Sequence, residues 1–224
     1  MLSQSGLSVE TNWGVLSCFL LLAGLAPIAL VFWYVVTQGS VVPSGDQWWD
    51  PVYIAVKTTA GTLALEDFFV LNWGHRPVVT RIITAISTIF TKYDAGTLRF
   101  TAFVLTIANL CLTLFLLKLP RMLVPAAFCL LSILLFALYY PPNWLDMPYS
   151  AWQQAFFFML LGLVVLQRVR PGWPAFMLVA LCATIASLAY ASGLAAWFSL
   201  PIAAATISEY RRRPYVAAWL LLPA

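Results

Sequence analysis

The amino-acid sequence predicts an all-α fold: a polytopic transmembrane helical bundle of six complete spans and the start of a seventh, with a helical extracytoplasmic loop between spans 1 and 2. Three observations predict it. The 224 residues are 62% hydrophobic and 9% charged, with a mean hydropathy of +0.90, whereas a soluble domain carries about a quarter charged residues. Apolar runs close to the length that crosses a hydrocarbon core, about 20 residues, recur along the chain. Lys and Arg gather in alternate short loops, the bias that marks the cytoplasmic side of a membrane protein.

The first run is Trp13 to Val36, interrupted only by Pro27, which a membrane helix tolerates when neighbours satisfy the freed carbonyl. It reads as a retained helix rather than a signal peptide, being too long and preceded by no Lys or Arg. Further runs cover Leu98 to Leu119, Met122 to Tyr139, Trp152 to Gln167, Pro174 to Tyr190 and Leu194 to Ile207. A seventh opens at Tyr215 and stops at Ala224, so the sequence is expected to be one transmembrane domain, residues 1–224, truncated at its C-terminus.

Lys118 and Arg121, then Arg168 and Arg170, then Arg211 to Arg213 occupy alternate loops, which places those loops and the N-terminus in the cytoplasm. The 38–97 segment, the Tyr140 to Ala151 loop and the turn at Ala191 to Gly193 then face the other side. Trp13, Trp33, Trp144, Trp152, Trp173 and Trp197 fall near span ends, as an aromatic belt requires. The formal charge of +4 comes from few groups, and no nucleic-acid partner is expected. Cys18, Cys111, Cys129 and Cys182 each stand alone in an apolar run, without metal or redox spacing. The bilayer is the first partner the sequence implies.

The acids are unevenly placed. Asp46, Asp50, Glu66, Asp67, Asp94 and Asp146 lie on the extracytoplasmic side of this topology, against Glu10 and Glu209 inside. The 38–97 segment also holds the single histidine, His75, with Arg76 and Arg81 close by. Two stretches of it are predicted helical. Pro51 to Leu65 follows Asp50, an N-cap residue type ahead of proline at the first helical position. From Pro77 to Tyr93, Val78, Val79, Ile82, Ile83, Ile86, Ile89 and Phe90 recur in a helical stripe, with Arg81, Thr84, Thr88 and Thr91 on another face. Such a helix suits the membrane interface, and the segment is expected to form a cap pressed against the bilayer.

Each candidate residue has two readings. Asp50 is read as a helix cap rather than a catalyst. Asp46 follows Pro43-Ser44-Gly45 and is either a solvated turn aspartate or a reactive carboxylate. Trp48 and Trp49 beside it either anchor the turn or offer a stacking face to a sugar. Glu66 and Asp67 read as helix-end or loop charges. His75 is either an interfacial histidine or, with Arg76 at a helix start, part of an oxyanion site. Arg81 would reach the same anion or snorkel to headgroups.

These residues carry a resemblance. The first span, the long loop with an early acid, the Gly45-Asp46-Gln47-Trp48 turn, Asn72-Trp73-Gly74-His75-Arg76-Pro77 and Tyr190-Ala191-Ser192-Gly193-Leu194 resemble the GT-C superfamily of membrane glycosyltransferases across the whole chain. The chain departs from the pattern in its shorter length and at Gly74, where many such proteins have Glu. The resemblance implies transfer of a sugar from a polyprenyl-phosphate donor to a sugar or lipid acceptor, on the extracytoplasmic face of a bacterial plasma membrane. It implies Asp46 as general base and His75 and Arg76 as holders of the leaving phosphate; Arg81, Trp48 and Trp49 are substrate-binding candidates on the reading of the residues alone. Some members use a divalent metal, but the pair Asp46 and Asp50 alone does not make a metal site. The alternatives are a transporter, for which interrupted polar helices at the midplane would be expected, and a non-catalytic multi-pass subunit.

Overall fold

The computed structural model describes residues 5–37, 50–71, 76–137, 148–207, 210 and 218–219, with side chains described from Trp13 in the first helix and from Ser150 in the sixth. Every regular element among them is helical. In order these are α1 (Ser5–Thr37), α2 (Pro51–Ala60), a 3-10 turn (Leu65–Phe69), α3 (Val78–Thr91), α4 (Ala95–Leu117), a 3-10 turn (Arg121–Leu123) leading into α5 (Val124–Leu135), α6 (Pro148–Arg168), α7 (Trp173–Ala189), a 3-10 turn (Ala191–Ala195) and α8 (Ala196–Thr206).

Local chemistry sets the boundaries. Pro51 opens α2, as expected, but the helix stops at Ala60 rather than Leu65. Gly61 ends it with φ 68°, and the Thr62 N–H returns to the Lys57 carbonyl at 3.0 Å. A residue without Cβ takes that left-handed turn at no steric cost. Asp94 caps α4: its carboxylate accepts from the backbone N–H of Gly96 at 3.0 Å and of Thr97 at 3.2 Å. Between α3 and α4 the chain reverses through two left-handed residues, Lys92 (φ 54°) and Tyr93 (φ 62°), an uncommon conformation for side chains of that size.

Three stretches are long and apolar enough to cross a membrane: Trp13–Thr37, Ala95–Leu117 and Ser150–Arg168. Arg121–Leu135, Trp173–Ala189 and Ala191–Thr206 are apolar but shorter. Phe19, Leu22, Leu134, Met177 and Ile202 stay exposed on these helices, a surface that suits lipid contact and not water.

Packing forms two cores. Val31 and Val35 of α1 meet Phe103 and Leu110 of α4 and Phe136 beyond α5. Val165 and Leu166 of α6, Phe176, Val179 and Ala183 of α7, and Leu200 of α8 make the other. Small residues let the backbones approach, since lipid offers no hydrophobic drive for helices to associate. A Cβ on Gly24 of α1 would sit 2.7 Å from the Phe128 ring of α5, and one on Gly162 of α6 2.9 Å from Leu200 of α8. Gly193 is tighter still, because any Cβ there would overlap the Ala186 carbonyl of α7. The Tyr190 to Leu194 string therefore turns the chain flat against α7.

α6 joins the two cores. It packs along α4 and α7, and the buried Asn109 amide of α4 donates to Gln153 Oε1 at 2.7 Å and to the Gln153 carbonyl at 3.1 Å. Next to it, Gln154 accepts from Thr80 Oγ1 of α3 at 3.0 Å. That bond seats α3 on the N-terminal end of α6.

Candidate functional site

The segment between α1 and α4 folds into a cap of α2, the Leu65–Phe69 turn and α3, with α2 packed on α3 and α3 touching α4, α6 and α7. The expected helix from Pro77 to Tyr93 is present as Val78–Thr91. Its faces are arranged in the reverse of a water-soluble helix. Thr80, Arg81, Thr84, Ser87 and Thr88 are buried, while Ile82, Ile86, Ile89 and Phe90 are exposed, Phe90 by 80%. Thr84 and Thr88 satisfy their hydroxyls on the carbonyls four residues back, so the polar face can be buried without orphaned donors. The apolar face is left exposed.

Arg81 is the centre of the cap, and its place corrects two sequence readings. It neither snorkels nor waits for an anion, because the residue is 2% exposed and its guanidinium is taken up by protein. Nε donates to Asp50 Oδ1 at 2.8 Å and Nη2 to the same oxygen at 2.5 Å. Nη1 donates to the carbonyls of Val70 at 2.6 Å, Phe68 at 3.1 Å and Asp67 at 3.3 Å. Asp50 in turn makes no side-chain cap on α2, although proline follows it as the cap signature requires. A charge already buried gains far more from a facing cation than from one backbone N–H.

A second cluster braces the α2 side. Asp67 accepts from Lys57 Nζ at 2.6 Å and Tyr53 Oη at 2.8 Å through Oδ1, and from the Ala64 N–H at 2.8 Å through Oδ2. The Lys57 ammonium, the Ala64 N–H and the Tyr53 hydroxyl hold its carboxyl well below the usual range, at about 2. The bond to Asp67 pushes Lys57 upward. Asp67 is thus a structural centre rather than a loop charge, while Glu66 is exposed.

Arg76 precedes α3. It is exposed, its carbonyl accepts from the Val78 N–H at 2.8 Å, and its guanidinium makes no hydrogen bond or ion pair among the described residues. Asp46, Trp48, Trp49 and His75 lie outside the described residues. In sequence Asp46 is followed by Asp50, and His75 and Arg76 by Arg81, the two partners of the clamp. Among the described residues no group of three or more His, Cys, Asp or Glu side chains could hold a metal ion. Asp50, one of the two acids weighed for such a role, has its Oδ1 committed to Arg81.

Sequence reasoning passed over Lys57 and Tyr53 and undervalued Asp67; one signal for them is the Gly61 reversal, which folds the two acid- and base-bearing stretches back on each other. It also passed over Arg99, a cation inside an otherwise apolar run. No family model matches the chain, and neither does any curated protein or solved structure. The fold and the cap define the class: an all-helical protein whose apolar helices suit a lipid bilayer.

Proposed function

We propose that this chain is a membrane glycosyltransferase of the GT-C type, transferring a sugar from a polyprenyl-phosphate donor to an acceptor on the extracytoplasmic face of a bacterial plasma membrane. The observation that supports it is the Asp50–Arg81 pair, because it ties together the ends of the two segments that bear the candidate base and the candidate phosphate ligands. Arg76 precedes α3 with a guanidinium not engaged by the described residues. Six crossings require the three shorter helices to span as well; Trp173–Ala189 would reach about 25 Å at 1.5 Å per residue, which modest local thinning of the bilayer accommodates.

In this reading the Asp46 carboxylate takes the proton of the acceptor hydroxyl as its oxygen attacks the anomeric carbon. The bond from that carbon to the phosphate oxygen breaks, and the polyprenyl phosphate leaves with the electron pair. Arg76, with His75, stabilises the charge that develops on it. Trp48 and Trp49 offer apolar faces to the sugar.

Turnover of a radiolabelled polyprenyl-phosphate sugar by the protein in liposomes tests the roles. Asp46→Asn should lower the rate by about 10² to 10⁴, the usual cost of removing a general base. Arg76→Ala should weaken donor binding, with Arg76→Lys restoring it only in part because the planar fork is lost. Glu66→Gln is the control, since that residue is exposed and carries no role in the cap. Asp50→Asn is unsuitable as a control because it disturbs the clamp. Wild-type turnover in Asp46→Asn would remove the assignment, and absence of turnover in every protein, wild type included, would favour a non-catalytic subunit.

A further inference from the structure

Among the described side chains, acids and cations are segregated along the length of the bundle. Asp50, Glu66 and Asp67 belong to the cap and Asp94 to the start of α4, and Asp50 and Asp67 are already paired with Arg81 and Lys57. From the cap, the 23 residues of α4 carry the chain about 34 Å away, at about 1.5 Å per residue. Four cations stand at that far end: Lys118 and Arg121 in the turn between α4 and α5, Arg168 as the last residue of α6 and Arg170 just beyond it. All four are exposed, and none makes a hydrogen bond or ion pair among the described residues. Packing brings the two pairs to one place, because the Arg168 guanidinium lies over the Phe115 ring in the last turn of α4, 4.3 Å from its centroid. That contact holds the charge at the seam of α4 and α6 and occupies none of its N–H donors, which lie in the guanidinium plane. The surface beside the cations is apolar, with Leu117, Met122 and Leu123 exposed. A soluble anion gains nothing from such neighbours, whereas a phospholipid carries a phosphate above acyl chains and meets both.

We propose that Lys118, Arg121, Arg168 and Arg170 form a docking face for the phosphate headgroups of anionic phospholipid, in the leaflet at the end of the bundle away from the cap. A guanidinium takes a phosphate through paired N–H donors, and an ammonium adds charge without a fixed geometry. Basic residues clustered beside a spanning helix draw anionic lipid on the same ground. Leu117, Met122 and Leu123 would meet the acyl chains below the headgroup. The face rests on the apolar helices lying in a bilayer; it depends neither on which side of the membrane it occupies nor on the glycosyl-transfer reading.

Spin-labelled phosphatidylglycerol and phosphatidylcholine, introduced into phosphatidylcholine vesicles that hold the protein, test it; the motionally restricted fraction reports lipid held at the protein. The wild type should hold phosphatidylglycerol over phosphatidylcholine by about twofold or more averaged over its perimeter, and the preference should shrink as salt rises. Arg168→Gln combined with Arg170→Gln should remove most of it, and Lys92→Gln, which deletes an exposed cation at the cap end, should leave it in place. Lys118→Gln with Arg121→Gln keeps the Arg168–Phe115 contact and should lower the preference too, so it carries the test if the first variant does not reconstitute. Absence of a preference in the wild type would overturn the proposal, as would an undiminished preference in the reconstituted double variants or an equal loss in Lys92→Gln. Loss of the preference in inorganic phosphate but not in chloride of the same ionic strength would identify a soluble anion as the occupant and overturn the assignment to lipid.

Discussion

Asp50 and Arg81 are thirty-one residues apart in sequence and bonded at 2.5 Å inside the cap. Breaking a buried pair by deleting one partner strands the other charge, at a cost of about 3 to 5 kcal/mol. Arg81→Met should therefore destabilise the protein severely, Asp50→Asn less because the amide oxygen still accepts, and the double variant by less than the sum of the two. Denaturant unfolding in detergent measures the cycle, and strict additivity would show that the pair is not coupled. Asp67 makes a different statement, in pH. Its folded pKa, about 2, lies below the ordinary carboxylate value of 3.8, so its contribution is complete above about pH 4 and is lost as pH falls toward 2. Lys57 is raised, so the base side of the pair survives to strongly alkaline pH. The difference in unfolding temperature between wild type and Asp67→Asn should be constant from pH 5 to 8 and shrink toward zero near pH 2. A difference that stays constant down to pH 2 would show that the carboxylate is not held as described.

Among the elements, α3 is the one whose orientation carries meaning. Its buried face is hydroxyls and a guanidinium, and its exposed face is Ile82, Ile86, Ile89 and Phe90. In water that arrangement would expose a contiguous apolar strip; against lipid it is the stable one. A spin label at position 90 or 86 in a protein without its native cysteines should collide readily with oxygen and poorly with a water-soluble nickel complex. A label at position 84 should be shielded from both. High accessibility of position 90 to the nickel complex would place α3 in solvent and overturn the interfacial assignment.

At the scale of the whole molecule, two apolar cores are joined through α6, and the cap is seated on the same helix through Thr80 and Gln154. Rigid seating of the cap matters because the proposed topology puts everything proposed for function on one side of the bilayer. The positive residues of alternate loops argue which side that is. Introduced cysteines at positions 46 and 168 should label from opposite faces in sealed right-side-out vesicles, position 46 from outside and position 168 only after permeabilisation. The reverse pattern would invert the topology and remove the extracytoplasmic reading with it.

The amino-acid sequence by itself was enough for what depends on local properties. Apolar runs located the helices, most of their ends within a few residues although α1 begins eight residues before its run, proline after Asp50 marked the start of α2, and the stripe from Val78 to Phe90 marked α3 as a helix with two unlike faces. Hydropathy and periodicity are sums over near neighbours, so they survive without knowledge of the fold. Which face of α3 turns inward was decided only by tertiary structure, since amphipathicity is symmetric to that choice and lipid reverses the rule that holds in water. Partner choice was likewise invisible. Asp50 carries the signature of a cap, yet its oxygen goes to Arg81 because packing brings a buried guanidinium to it. Asp67 looks like a loop acid until the Gly61 reversal delivers Lys57 and Tyr53. Arg99 is one letter in an apolar run, and only the packing around α4 shows that it is buried.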